Sequence, residues 1–335
     1  MKLLSFQTCP LCDSKKIAPF LTCRDTLTHR GEFTIASCGE CGFRFTNPYP
    51  SAEDIHVFYD TPDYTPVSNS KEGLLNKGYH LARRVMLRAK RRLVQRLVGR
   101  GLRSAPPRGS NQAFHETSLE PQGGAERSPR PTLLDIGCGT GEFLATMKQA
   151  GWSVQGVEPY EPAKNSAIKN FQIPVTDLAG QSSLPDHAYD VITLWHVLEH
   201  AHDLHRSMAE ISRLLKPGGL VLIGVPNCDS WDAKFYGAHW AAYDTPRHLF
   251  HFNPATMRRL ATRHNFEVAS IHPLFFDPIY IPLLTEKKRA DKNVLRGVYA
   301  AIRSFIFSLF YPAKCTAIAY VLKSEEKNTG GEQRE

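Results

Sequence analysis

No run in this 335-residue chain approaches the roughly twenty consecutive apolar residues that a membrane-spanning helix needs. The longest uncharged apolar stretch, residues 304–313, is far too short, and residues 1–8 lack the apolar core of a secretory signal. Both absences lead to the expectation of a cytoplasmic chain with reduced cysteines. No internal repeat is visible, which excludes stacked-repeat architectures. Acidic residues are in short supply, 33 Asp and Glu against 41 Lys and Arg, for a net charge of +8. What remains is ordinary for a globular chain, with 42% hydrophobic residues and enough length for a large domain plus a small one.

The dinucleotide fingerprint G-x-G-x-x-G is also missing, because Glu142 stands where its third glycine would be. In its place the chain has Leu133-Leu134-Asp135-Ile136-Gly137-Cys138-Gly139-Thr140-Gly141-Glu142. The leucines read as a buried strand, and residues 143–150 read as the helix that follows. The glycines allow a tight turn and close approach of a ligand to the backbone. Open α/β sheets bind nucleotide-like ligands at such a strand-to-helix turn. A second strand, residues 152–157, ends in Glu158, placed to accept hydrogen bonds from both hydroxyls of a ribose.

Further segments follow in register: a helix at 161–169, a third strand at 171–176, and a fourth at 189–195 ending in Trp195 and His196. A helix at 204–215 is stopped by Lys216-Pro217-Gly218-Gly219 before a fifth strand at 220–225. The pattern Asp-x-Gly-x-Gly-x-Gly, with an acid before the first glycine, resembles the first motif of the class I S-adenosylmethionine (SAM)-dependent methyltransferases. The run from strand to Leu-Lys-Pro-Gly-Gly to strand is similar to theirs as well. The resemblance spans residues 132–227. It implies an α/β fold with a seven-stranded Rossmann-like sheet and SAM as cofactor. It places Asp135, Gly137, Gly139, Gly141 and Glu158 around that cofactor, with Trp195 at the end of the fourth strand. It also places Asp177 near the adenine amino group and Leu178 against the ring. A Rossmann-like domain for another nucleotide is the alternative.

Eight cysteines occur, four of them as Cys9-Pro-Leu-Cys12 and Cys38-Gly-Glu-Cys41. Each pair brings two thiolates around a tight knuckle, and two knuckles supply a tetrahedral set for structural Zn2+. A redox dithiol is the alternative. The head is too small to bury a core alone, so metal binding is expected to contribute much of its folding free energy. Four thiolates close the site, so this zinc is not expected to be catalytic. A zinc ribbon followed by prolines and tyrosines (Tyr49, Tyr59, Tyr64) also resembles the cysteine-rich head of sugar C-methyltransferases. The tyrosines either line the cofactor mouth or pack.

Residues 74–98 carry Ala82, Met86, Ala89, Leu93 and Leu97 at helical spacing, with arginines and lysines on the other faces. A solvated face is the expectation for those charges; attraction to nucleic acid or an anionic membrane is the alternative. Residues 104–131 are rich in Pro, Gly, Ser and charge and read as a flexible insert. The expected division is a head at 1–46, linker and basic helix at 47–103, insert at 104–131, methyltransferase domain at 132–323 and a disordered tail at 324–335.

Methyl transfer to a hydroxyl or acidic C–H is helped by a base of near-neutral pKa. His196, just past the fourth strand, is the first candidate, and His248, in Pro246-Arg247-His248-Leu249-Phe250-His251-Phe252, is the next. His196, Glu199 and His200 also resemble the Glu-x-x-Glu-His or Glu-x-x-His-His cluster with which quinone-biosynthesis and small-RNA 2′-O-methyltransferases hold a divalent metal, with histidine in the first place. The chain lacks the Asp/Asn-Pro-Pro-Tyr/Phe motif of base N-methyltransferases at the end of its fourth strand, which argues against methylation of base amino groups. Apolar residues 295–310 repeat at helical spacing beside a cluster of Lys and Arg. Packing on the domain is the default there, and a peripheral membrane contact is the alternative. The expected activity is methyl transfer from SAM to a hydroxyl or carbon of a small-molecule acceptor, such as a sugar nucleotide, lipid-linked glycan or quinone, rather than to nucleic acid. RNA ribose methylation and a non-catalytic SAM-binding regulator are the alternatives.

Overall fold

The computed structural model describes residues 2–61, 74–101 and 130–325. Tyr64, most of the insert at 104–131, the tail beyond residue 325 and the side chain of Ala82 lie outside the described residues.

The head comprises β1 (Leu3–Leu4), β2 (Ile17–Arg24), β3 (Glu32–Cys38), β4 (Arg44–Thr46) and β5 (Tyr49–Pro50), followed by the long helix α1 (Leu74–Gly101). The alternating segments then run β6 (Thr132–Ile136), α2 (Glu142–Gln149), β7 (Ser153–Val157), α3 (Glu161–Phe171), β8 (Val175–Thr176) and α4 (Leu178–Gln181). They continue with β9 (Tyr189–Trp195), α5 (Leu204–Leu214), β10 (Leu215–Pro226), α6 (Trp231–Tyr236), β11 (Phe250–His251) and α7 (Pro254–Arg263). The chain closes through β12 (Phe266–Pro273), α8 (Asp277–Lys288), α9 (Val294–Phe310) and β13 (Ala317–Ser324).

Seven strands form one sheet in the order β12-β13-β10-β9-β6-β7-β8. The strands from β10 to β8 pair in parallel, and β13 inserts antiparallel between β10 and β12, from Leu220 opposite Lys323 to Pro226 opposite Ala317. This is the seven-stranded Rossmann-like sheet that the resemblance implies. Its central strand β9 is buried at every position but Asp190, the continuous apolar run expected of a parallel strand covered on both faces. Helix ends are set locally. Asp203 caps α5 by accepting the Arg206 N–H at 2.9 Å, and Asn253 with Thr256 forms a reciprocal capping box ahead of Pro254 in α7.

Two spans differ from the sequence expectation. The third strand is only Val175–Thr176, because α3 continues to Phe171 and its amphipathic face outlasts the strand-like run. Lys216-Pro217-Gly218-Gly219 do follow the end of α5, but they lie within β10, where the register against β9 shifts between Leu215 and Leu220.

The head does not stand apart. Its second sheet has the order β11-β4-β3-β2, so a strand from beyond β10 completes it, with Phe250 opposite Phe45. Cys9, Leu11, Phe43 and Phe45 share one apolar core with Phe250, Phe252 and Leu260. The ribbon, too small to bury a core alone, borrows one from the part of the chain that follows β10.

Candidate functional site

Strand order reverses about β6: β7 and β8 lie to one side, β9 and β10 to the other. A crevice opens at the carboxyl ends of strands at such a switch point. The turn from β6 to α2 sits there, with Gly137, Gly139 and Gly141 all in left-handed backbone (φ 72°, 55° and 83°). A Cβ on Gly137 would lie 2.3 Å from the Val197 side chain, and one on Gly141 2.7 Å from Ala167 Cβ. At Gly139 the same atom meets nothing within 4 Å. The outer two glycines are therefore required by packing, whereas the middle one faces open space.

Glu158 closes this turn from the end of β7. Its two carboxylate oxygens accept the N–H groups of Gly139 at 2.8 Å and Tyr160 at 2.9 Å. Burial raises its pKa against the pull of those two donors, and each oxygen keeps acceptor capacity. Asp135 is buried beneath the turn and accepts the Thr193 hydroxyl at 2.5 Å. Burial raises its pKa as well, opposed by that hydrogen bond and by Lys90. Asp177 stands at the rim after β8, where it caps α4 by accepting the Gly180 N–H at 2.8 Å, which holds its carboxyl below the usual range. Leu178 beside it is 58% exposed. Trp195 is buried, its indole N–H has no hydrogen-bond partner, and its ring meets the Phe143 ring edge-on at 5.7 Å.

His196 follows Trp195 in left-handed backbone (φ 58°), unusual for a side chain of this size. The turn carries its ring between two acids. Nε2 lies 3.3 Å from Asp277 Oδ1, and Nδ1 lies 3.5 Å from Glu199 Oε1. Burial alone would lower the pKa of His196, but the Asp277 and Glu199 carboxylates outweigh it and raise the pKa above its ordinary value. Both contacts are longer than a saturated charge-assisted hydrogen bond of about 2.7–2.9 Å. Asp277, the first residue of α8, carried no signal in the sequence as a site residue; it lies far along the chain from His196 and meets it only through the fold. Its own pKa is raised by burial.

His248 stands near this group rather than in it. Its Nδ1 lies 2.9 Å from the Ala242 carbonyl oxygen, and its ring meets that of His200 edge-on at 4.6 Å. His200 Nδ1 lies 3.0 Å from both the Arg247 carbonyl oxygen and the Tyr59 hydroxyl, and burial pushes its pKa down to about 4. Glu199 is 1% exposed, and neither carboxylate oxygen has a hydrogen-bond partner. Among the described residues Glu199, His200 and His248 bring their ligand atoms within 4.8 Å of one another. Each Nδ1 is turned to a backbone carbonyl, which leaves Nε2 of both rings as a donor to a metal, so the group can hold a divalent cation. The group joins Glu199 and His200 to His248 rather than to His196, whose ring lies between Asp277 and Glu199.

The four head cysteines likewise have their Sγ atoms within 4.8 Å of one another, with Cys9–Cys41 and Cys12–Cys38 each at 3.6 Å. Tetrahedral zinc with bonds near 2.3 Å requires sulfur–sulfur edges of about 3.8 Å. The donor set therefore fits Zn2+.

The basic helix is less of a free face than its composition implies. Arg83 reaches inward to Glu142 at 2.9 Å, and Lys90 Nζ lies 4.4 Å from the centre of the Trp195 ring, near Asp135 and Asp277. Leu93 and Leu97 of the expected stripe pack against the core and Val94 beside them is buried, while Ala89 is exposed. Arg84, Arg88, Arg92 and Arg96 remain exposed. Sequence reasoning missed Lys90 because a charge on a helix is read by default as facing solvent.

A glycine turn and ribose-spaced carboxylate at the switch point of this seven-stranded sheet define the class of SAM-dependent methyltransferases. A family model described as a methyltransferase domain matches residues 82–271, more than half of the chain, and the chain belongs to that family. It is 29% identical over 178 residues to the ubiquinone biosynthesis O-methyltransferase of Proteus mirabilis, covering 48% of this chain and 69% of that one. It is 32% identical over 136 residues to the malonyl-[acyl-carrier protein] O-methyltransferase of Serratia marcescens, covering 40% of this chain and 52% of that one. The chain thus spans about half the length of the Serratia protein. Among solved structures, a SAM-dependent methyltransferase from Archaeoglobus fulgidus matches at 21% identity with a TM-score of 0.41, covering 58% of this chain and 86% of that one. Among the described residues, no helix is long and apolar enough to cross a membrane.

Proposed function

We propose that this SAM-dependent methyltransferase acts on a hydroxyl of a small-molecule acceptor, with His196 as the general base. The observation that carries this reading is the placement of His196 between Asp277 and Glu199 at the end of β9, one residue from the side chain that packs on Gly137. Bound SAM supplies an electrophilic methyl on a sulfonium, so the leaving group is already activated. The protein's task is to align the acceptor and take up its proton.

In this reading Glu158 accepts the ribose hydroxyls with the capacity left beyond its two backbone donors. Gly139 gives the cofactor room beside the backbone, and Asp135 offers a negative partner to the amino group. Asp177 and Leu178 border the adenine at the rim. Trp195 and Phe143 form an apolar wall that excludes water from the reacting atoms. Neutral His196 receives the acceptor's proton, and the imidazolium is stabilised by the acids on either side. His248 stands one layer behind, where it orders His200 and the acceptor wall. The Proteus and Serratia relatives are O-methyltransferases, which supports an oxygen acceptor. The four cysteines hold structural zinc, which fixes the head that β11 completes.

Incubation with methyl-labelled SAM and fractionated extract is the direct test. Label is expected in a small-molecule or lipid fraction, in a base-stable ether, and uptake is expected to fall at least roughly 100-fold in His196→Gln. Label appearing in RNA, or undiminished in His196→Gln, would reject the reading.

A further inference from the structure

Helix α9 is built inside out. Its buried positions are all small: Gly297, Ala300, Ala301, Ser304 and Ser308. Its large apolar side chains point away from the domain; Leu295 is 82% exposed, Ile302 56%, Leu309 53% and Phe310 72%. A surface helix that packs on a core shows the reverse pattern. An open apolar groove lies between α8 and α9, lined by Ile279, Leu283, Val298, Ile302, Phe305 and Ile306. The face is larger than the scattered exposed side chains ordinary on a monomer, and such a patch marks a docking surface.

Charge and composition select the occupant. Residues 277–314 carry seven Lys and Arg against three acids. Glu286 and Asp291 are both engaged by Arg296, and Arg289 also pairs with Asp291. α9 contains no acid, and Lys287, Lys292, Arg303 and Lys314 are exposed around the apolar face. A second copy of this chain would bring the same cationic rim against its own, which disfavours self-association. The segments outside the described residues contain only six large apolar side chains, Met1, Tyr64, Val67, Leu102, Phe114 and Leu119, too few to cover the face. An apolar face with aromatic residues and a basic rim fits the interface of an anionic bilayer. The same α8 begins at Asp277, in contact with His196, and Ile279 of the groove lies two residues further on.

We propose that the α8–α9 pair docks on an anionic lipid surface, with its apolar face in the acyl boundary, so that a membrane-borne acceptor is presented on the side of the domain where α8 meets His196. The delivery half rests on the methyl-transfer reading; the docking half does not.

The test is flotation of the full-length protein with vesicles of phosphatidylglycerol and phosphatidylcholine, against vesicles of phosphatidylcholine alone. SAM calorimetry and thermal unfolding run in parallel. The wild type is expected to float with the anionic vesicles and roughly tenfold less with neutral ones, with added salt reducing the difference. Leu295→Asp/Ile302→Asp is expected to lose flotation at least roughly tenfold while keeping its SAM heat and melting temperature, because both positions are exposed. Lys292→Glu/Arg303→Glu is expected to lose the preference for anionic vesicles. Wild-type protein that does not float, or that floats equally when Leu295 and Ile302 carry charge, overturns the proposal. So does a dimer in sizing columns that the same substitutions dissociate, which would make the face a self-interface. Absent flotation with intact SAM binding removes docking alone, whereas flotation without SAM binding removes the methyl-transfer reading alone.

Discussion

Gly139 and His196 both occupy left-handed backbone, and the reasons differ. Gly139 leaves a volume open beside the turn, whereas His196 accepts strain so that its ring lies between Asp277 and Glu199. Gly139→Arg is expected to abolish the calorimetric heat with SAM or its demethylated product, with the zinc content of the head unchanged; retained affinity would contradict the site. His196 works as a base only when neutral. Its raised pKa therefore predicts a rate that climbs with pH through a midpoint above 6.5, the unperturbed histidine value. Asp277→Asn removes a charge that holds the proton on. The rising limb of kcat/KM should move to lower pH, with a lower plateau from the weaker base. A limb that stays in place would remove Asp277 from the proton's path. The glycines, Glu158 and His196 were legible in the sequence because each follows a strand at a fixed local spacing. Asp277 and Lys90 were not, because nothing near either residue in the chain announces the partner it meets through the fold.

At the scale of elements, the knuckles and β11 act together. Cys38 ends β3, which pairs with β4, and β4 pairs with β11 from the histidine-rich segment. Cys38→Ser should release zinc and cost on the order of 3 kcal/mol or more, read by urea unfolding alongside metal analysis. Methyl transfer should fall with it, because Arg247 and His248 precede β11 directly. A protein of full stability without bound metal would show that the cysteines do not form a zinc site. α1 shows where pattern reading falls short. Spacing of apolar residues found the helix and set Leu93 and Leu97 against the core, but it left Arg83 and Lys90 on the outer faces, whereas they take inward positions opposite Glu142 and the acids near Trp195. A charge goes inward when the fold supplies its counterion, and the counterions come from other elements.

Across the whole molecule, Arg247 is the joint. Fully buried, it binds Asp244 at 2.7 Å, Asp25 of the head at 3.1 Å and the Phe58 carbonyl oxygen at 3.0 Å. One guanidinium thus fastens the ribbon, the segment after β5 and the histidine-rich segment before β11. Arg247→Ala should cost about 3–5 kcal/mol by taking the guanidinium from the fully buried Asp25 and from the part-buried Asp244, which keeps Lys288 at 3.4 Å as a cation. Burial would raise the pKa values of both acids, but hydrogen bonds and the Arg247 charge hold them below the ordinary range. Their contribution to stability is therefore complete above the unfolded value near 4 and is lost as pH falls through the lower folded values. The urea midpoint should decline more steeply in acid for the wild type than for Arg247→Met; equal slopes would show that the joint does not carry the acid sensitivity.

Local chemistry by itself determined the strand-turn-helix that opens the sheet, the alternation that builds it and the paired cysteine knuckles. Each depends on steric freedom, periodicity or ligand spacing within a few neighbouring residues. Tertiary structure alone decided which acids flank His196, which histidine joins Glu199, and that the ribbon completes its sheet with β11. It also turned the large side chains of α9 outward. Those outcomes depend on burial and charge pairing between segments far apart in the chain, and such energies exist only once the sheet has brought the segments together.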